Sequence, residues 1–415
     1  MYLATRSAGP ITDGERDAPP SAEKGGTDRS AVAALGLTSF FTDISTEMVT
    51  AVLPLYLVLH IGFDVADFGF FDGALAAATL VLLLAGGALA DRWRRPKPVA
   101  FAGYAMSAGA RLGLVVTSAP ILWLFGDRIG KGLRVAPRDA LIAHSADRAS
   151  MASAFAVHRI LDTAGAMLGP LLAFVVLWAV PGDFTLVFTI SLIAAVVGLV
   201  VFWVGVPDAR AEGAGSGPRL RLRDLEARGA VGRLSAAGAL LGGATVSDGI
   251  LYLVIWRTGD LDPSMFPLLF VGSALAYLVV AMPVGRLADR VGRVRLLVPA
   301  HIPLLGAYLV LALADSLTTP LILVVLMLHG WYFAMTDGIY AAAAAAITPA
   351  AARGTGIASV TFGVAVGRFC ASAAFGFVWL RWGLDTALAV AIVGLVTAMI
   401  AARPLLRAAM DRDAR

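Results

Sequence analysis

The chain has 415 residues, of which 59% are hydrophobic and only 15% charged, with a mean hydropathy of +0.80. Soluble domains lie nearer 45–50% apolar and about 25% charged, so this composition excludes a soluble globular protein and describes a polytopic membrane protein. The net charge of +4 sits in short loops between apolar runs, which excludes a nucleic-acid footprint, and the single cysteine, Cys370, excludes a disulfide framework.

Residues 1–29 are rich in Gly, Ser, Pro and charge and lack the apolar core of a signal peptide, so a disordered cytoplasmic tail is expected. Apolar runs of membrane-spanning length follow at 32–59, 66–90, 99–117, 120–143, 151–179 and 184–206. Residues 207–230 are too rich in Gly, Arg and Glu to span and read as a cytoplasmic linker. Six further runs fall at 232–255, 264–286, 295–314, 319–346, 355–379 and 384–403. The expected division is a first six-helix bundle over 30–206, the linker, a second bundle over 231–404, and a cytoplasmic tail over 405–415.

The second run ends in Gly87-Ala88-Leu89-Ala90-Asp91-Arg92-Trp93-Arg94-Arg95, and the eighth in Gly285-Arg286-Leu287-Ala288-Asp289-Arg290-Val291-Gly292-Arg293. Both read Gly-x-Leu-Ala-Asp-Arg-x-x-Arg, and an internal repeat with matching flanks predicts two similar halves. Gly lets a neighbouring helix approach, Asp near the interface can hold a partner helix, and Arg anchors the loop. These Arg-rich loops, the linker and the tail fall on one side, so both termini are expected in the cytoplasm.

Ionisable side chains in a bilayer core cost a few kcal/mol each and mark candidate functional residues. The first run carries Asp43 and Glu47, four residues apart on one helical face. Two carboxylates that close repel when both are ionised, which suits uptake and release of a proton. Asp72 in the second run and Arg111 in the third have opposite charge at similar depth, and a structural ion pair is expected between them. The fourth run is densest, with Asp127, Lys131, Arg134 and Arg138 along one face and Arg128 and Asp139 along another. Such a helix lines a polar cavity or meets carboxylates on its neighbours, with Gly130 and Gly132 allowing close approach. The fifth run places His158, Arg159 and Asp162 together, ahead of Gly165-x-x-x-Gly169-Pro170, where His158 is either a packing residue or a proton relay. The second half is sparser: Asp248 at a depth matching Asp43, His329 and Asp337 in the tenth run, Arg368 in the eleventh, and Tyr252 and Trp331 as aromatic ligand contacts.

The paired loop motif resembles that of the major facilitator superfamily, where it belongs to a cytoplasmic gate. The resemblance implies that role for Gly87, Asp91, Arg92 and Arg95, echoed by Gly285, Asp289, Arg290 and Arg293. Arg128-x-x-x-Gly132 is similar to the fourth-helix motif of proton-coupled antiporters of that family, where the Arg is associated with proton transfer. The string Gly-Lys-Gly-x-Arg-x-x-Pro-Arg-Asp looks like an uncharacterised prokaryotic subgroup. Gly165, Gly169 and Pro170 resemble the fifth-helix motif of the antiporters, although Leu171, Leu172 and Ala173 stand where further glycines often follow.

No phosphate-binding loop, His-Glu-x-x-His or nucleophile elbow points to an enzyme. A channel or a non-transporting receptor accounts less well for the paired gate motifs. The expectation is an all-α membrane protein of twelve transmembrane helices in two pseudo-symmetric six-helix bundles. It would be a monomeric secondary transporter in the cytoplasmic membrane, in contact with lipids and without a cofactor, moving a small molecule on the proton gradient. Proton-coupled efflux is the first reading and import of a small organic anion by symport the second. Asp43, Glu47 and Asp162, with Asp72, Arg128, His158 and Asp248, are the proton-coupling candidates. Lys131, Arg134, Arg138, Arg159, Tyr252, Trp331, Asp337 and Arg368 are the substrate-binding candidates.

Overall fold

A computed structural model describes residues 27–93, 95–117, 119–147, 150–208, 229–348 and 353–410. The described part is almost wholly helical. The first half holds α1 (Arg29–Leu55), α2 (Val65–Trp93), α3 (Pro96–Val116), α4 (Pro120–Ser145), α5 (Met151–Ala179) and α6 (Phe184–Gly205). The second holds α7 (Ala230–Gly242), α8 (Asp248–Thr258), α9 (Pro267–Val291), α10 (Arg293–Leu296), α11 (Ile302–Leu313), α12 (Thr319–Thr336), α13 (Ile339–Ile347), α14 (Arg353–Trp382) and α15 (Leu384–Met410).

Among the described residues, nine helical stretches are long and apolar enough to cross a membrane. The remaining crossings are α2, the charged α4, and a broken helix made of α7 and α8. Breaks also separate α10 from α11 and α12 from α13, so each of these pairs makes one crossing. The expected tail over 1–29 falls almost wholly outside the described residues, as do most of the 207–230 linker and the last five residues of the 405–415 tail.

Local chemistry sets the ends. Asp28 caps α1 by accepting from the amides of Ser30 and Ala31, both at 3.0 Å. Pro begins α3, α4 and α9, where its missing N–H costs nothing. Pro54 sits near the end of α1, and the chain leaves through a π turn at Tyr56–Ile61 closed by Gly62 at φ 83°. In the break between α7 and α8 the Val246 amide donates to the Tyr308 hydroxyl and the Ser247 amide to Ser372 Oγ, both at 3.0 Å. Non-helical backbone at membrane depth persists only where protein groups satisfy it in this way.

The two halves meet tightly at the end away from the Arg-rich loops. A Cβ added to Gly69 of α2 would strike the Ser372 carbonyl of α14, and one on Gly376 of α14 would strike the Val65 carbonyl of α2. Gly249 of α8 sits against Phe68 and Pro54, a Cβ there standing 2.7 Å from the Phe68 ring. At the Arg-rich end, the bonds from Asp28 to Ser145, Lys97 to Val206 and Arg233 to Ala408 each stay within one half.

Candidate functional site: two half-open acid–base groupings

α5 presents small residues to α1, and that fixes what faces what. A Cβ on Gly165 would collide with the Phe40 backbone, and one on Gly169 would lie 2.8 Å from the Ile44 carbonyl and 2.9 Å from Glu47 Cβ. This approach sets Asp43 of α1 opposite Asp162 of α5, with the two carboxyl groups in hydrogen-bonding reach of each other. An ionised carboxylate only accepts, so such a contact needs a proton between the pair. The Asp162 side chain is 22% exposed, so water reaches the pair.

α4 brings the cations. Arg138 Nη1 lies 3.7 Å from Asp162 Oδ1, while its Nε and Nη2 donate to Asp139 Oδ1 at 3.1 and 3.0 Å. Lys131 and Arg134 lie within electrostatic range of Asp43. Arg134 is buried, donating to Ser107 Oγ at 2.6 Å with its guanidinium 5.2 Å from the Tyr104 ring centre. α4 comes this close because it is glycine-faced: a Cβ on Gly130 would lie 2.6 Å from the Gly103 carbonyl of α3, and one on Gly132 would lie 2.6 Å from Leu82 of α2.

The second grouping centres on Asp248, the first residue of α8, where the positive end of the helix dipole favours a carboxylate. Its Oδ1 accepts from Arg368 Nη2 at 2.8 Å and lies 3.7 Å from His329 Nε2. The other ring nitrogen of His329 is 3.3 Å from Ser273 Oγ and 3.4 Å from the Tyr252 hydroxyl. Asp72 comes near this grouping from the other half, within reach of Ser247 and within electrostatic range of Asp248, Arg368 and Arg128.

A third grouping is sealed. Arg111 Nη2 of α3 lies 3.1 Å from Asp127 Oδ2 of α4, with side chains 1% and 4% exposed. Arg111 Nε also donates to Ser45 Oγ of α1 at 3.2 Å, and Ser45 Oγ is 3.0 Å from Ser191 Oγ of α6. This pin ties four helices together.

Several expectations need correction. Arg111 does not pair with Asp72: its face of α3 turns to α1 and α4, whereas Asp72 lies on the α2 face packed on the second half. The carboxyl facing Asp43 is that of Asp162, not Glu47, whose Cβ rests by Gly169. Tyr252 is buried behind His329, with its ring 4.5 Å from Phe270, and offers no surface to a ligand. Trp331 is 41% exposed and lies about 200° around α12 from His329, on the outward face. His158 is buried, with Nε2 2.7 Å from Ser39 Oγ. Arg159 and Asp337 both lie near Tyr277 of α9.

The side chains of Gly87, Asp91, Arg92 and Asp289 fall outside those described. Arg95, just before α3, and Arg290, in the last turn of α9, are exposed, and Arg293 opens α10. Gly285 is exposed on α9, with open space where a Cβ would stand. Sequence reasoning gave no role to Ser39, Ser45, Ser107 and Ser191, since a serine in an apolar run carries no signal until its neighbour is known. His329 stood out as a membrane histidine, but only the α7–α8 break brings Asp248 to it. Among the described residues no group of His, Cys, Asp or Glu could hold a metal ion.

Comparison with known proteins matches the Major Facilitator Superfamily profile over residues 35–256 and 234–414. An uncharacterised MFS-type transporter of Methanocaldococcus jannaschii is 33% identical over 167 residues, 40% of this chain and 41% of that protein. An uncharacterised protein of Mycobacterium tuberculosis is 32% identical over 151 residues, 34% of this chain and 35% of that protein. These matches therefore span well under half of either relative. Among solved structures, a mutant of the nucleoside transporter NupG superposes with a TM-score of 0.78 at 12% identity, covering 90% of this chain and 99% of that one. The human organic anion transporter MFSD10 gives a TM-score of 0.62 at 16% identity, covering 91% and 99%. At such identities the likeness shows the fold. With the family profile spanning both halves, the chain is a transporter rather than an enzyme and belongs to the Major Facilitator Superfamily.

Proposed function

We propose that this transporter is a proton-coupled carrier of a small organic molecule, and that the Asp43–Asp162 pair is its proton site. The observation that carries the reading is the reach of the two carboxyl groups for each other across the glycine seam of α1 and α5. Taking up one proton turns a repelling pair into a hydrogen-bonded one, and losing it loosens the α1–α5 contact. The half-open Asp248–Arg368 pair, reached by Asp72 from the other half, is the place where the proton signal meets the inter-half contact.

In this reading the Arg-rich end faces the cytoplasm of a cell membrane, with both termini there. The tight contacts at the opposite end then make this an inward-facing state of a monomer. Asp91, Arg92, Arg95, Asp289, Arg290 and Arg293 would latch the cytoplasmic end when it closes, the halves over 30–206 and 231–404 rocking about the linker.

Export by antiport is supported by the resemblance of Gly165, Gly169 and Pro170 to antiporter helices. Import by symport is supported by the cations around the pair. The two differ in sign: antiport needs proton and substrate to exclude each other, and symport needs them to bind together.

The test uses the full chain in proteoliposomes with an imposed pH gradient. Asp43→Asn and Asp162→Asn should each lower proton flux by about a hundredfold while leaving the folded fraction intact. Proton flux that survives in both variants would place the proton site elsewhere.

A further inference from the structure

Cations crowd the Asp43–Asp162 pair, and two of them are unmatched. From α4, Lys131 lies within electrostatic range of Asp43, and Arg138 divides itself between Asp162 at 3.7 Å and Asp139 at 3.0 Å. From α5, Arg159 lies beside Asp162. Lys131 and Arg159 make no ion pair or hydrogen bond with any described residue, and both are half-buried. Arg134 also faces Asp43, but its bond goes to Ser107 of α3, beside Tyr104. His158 is held by Ser39 of α1. Beyond Arg159 stand Tyr277 of α9 and Asp337 at the end of α12.

A charge held away from bulk water without a counterion costs several kcal/mol. Here two such cations lie within electrostatic range of one carboxyl pair, Lys131 of Asp43 and Arg159 of Asp162, and neither has an ion-pair partner among the described residues. What is missing there is negative charge.

We propose that the transported molecule carries an anionic group, a carboxylate or a phosphate-type oxyanion, received by Lys131 and Arg159 beside the Asp43–Asp162 pair, and that this anion and a proton on the pair bind together. The inference rests on the reading of that pair as the proton site. A proton removes the charge that would repel the anion and loosens Arg138 from Asp162 so that it can add to the cationic wall. By linkage the anion helps the proton as much as the proton helps the anion. Coupling of this sign carries both in the same direction.

The test is binding to the full-length protein in nanodiscs, read as thermal stabilisation. Probes of one size are benzoate, phenylphosphonate, the permanently ionised benzenesulfonate, benzylammonium and benzyl alcohol. The anions should stabilise the protein, with benzoate against phenylphosphonate showing which oxyanion the site prefers. Their affinity should fall about tenfold or more in both Lys131→Gln and Arg159→Gln. Benzenesulfonate should bind about tenfold tighter at about pH 6 than at about pH 8, and the Asp43→Asn/Asp162→Asn variant should bind it tightly at both.

Stabilisation by benzylammonium instead of the anions overturns the proposal, as does the absence of any anion effect at millimolar concentration. Anion binding that weakens as the pH falls overturns the shared-binding step. If the double variant keeps the pH dependence of the unmodified protein, the proton site lies elsewhere while the anionic class stands, so the two readings fail separately.

Discussion

The first half of the molecule contains two carboxyl-centred groupings that differ in every physical respect. Arg111 and Asp127 are of opposite charge, sealed from solvent, and tied to serines on the neighbouring helices. Asp43 and Asp162 are of like charge and half-open; Arg138 pairs with Asp162, while Lys131 and Arg159 nearby have no ion-pair partner among the described residues. A sealed, matched pair has no reason to change state during a transport cycle. A half-open, mismatched pair has a different lowest-energy partner for every change in protonation or ligand. Charge inside a membrane protein is therefore not in itself a sign of function; its exposure and mismatch are.

The sealed pair should give the largest stability effect. Arg111→Leu removes the guanidinium that pairs with the buried Asp127 carboxylate and should cost about 3–5 kcal/mol. Removing both charges in Arg111→Leu/Asp127→Leu should recover most of that loss, because neither member of the buried pair is left without the other. Thermal unfolding of the two variants in the same detergent decides it. A double variant as unstable as the single one would mean that the charges hold nothing and that shape alone matters there.

The open pair depends on backbone proximity, which gives the next effect. Gly169→Leu forces a large side chain against Ile44 and Glu47 of α1 and should destabilise by about 1–3 kcal/mol. It also separates Asp43 from Asp162, so proton flux should fall by more than the lost folded fraction explains. Gly109→Ala in α3 serves as the control: an added Cβ meets open space there, and a mid-helix glycine is costly, so the change should be neutral or slightly stabilising. Equal losses from both variants would remove the seam from the argument.

The fold was legible to a large degree, because apolar runs of spanning length and a twofold Gly-x-Leu-Ala-Asp-Arg-x-x-Arg repeat are one-dimensional signals. The glycines of α4 and α5 were legible too, since close approach is the physical use of Gly-x-x-x-Gly in a membrane helix. Pairing was not. Asp72 and Arg111 have matching depth, but the rotation of each helix about its axis depends on packing contacts far away in the sequence. The same rotation turned Asp43 toward Asp162 and Trp331 outward. The break at Gly243–Ser247 was not expected: Gly242-Gly243, Thr245 and Ser247 sit in a run of spanning length, and only the Tyr308 hydroxyl and Ser372 show how the Val246 and Ser247 amides are satisfied outside a helix.

The smallest predicted loss lies outside the membrane, at the start of α1, and contrasts with both interior pairs in being exposed to solvent. The Ser30 hydroxyl, followed by the amides of Ala31 and Ser30, stabilises the ionised Asp28 carboxyl and holds it below the usual carboxylate range. Asp28→Ala should cost about 1 kcal/mol through the lost cap. The folded-state value lies below the unfolded one, so this contribution is fully present above roughly pH 4 and is lost as the pH falls through the folded value. The gap in melting temperature between Asp28→Ala and the unmodified chain should therefore hold steady from neutral to mildly acidic conditions and close in strong acid. A gap that widened on acidification would mean that Asp28 acts through its backbone and not through its charge.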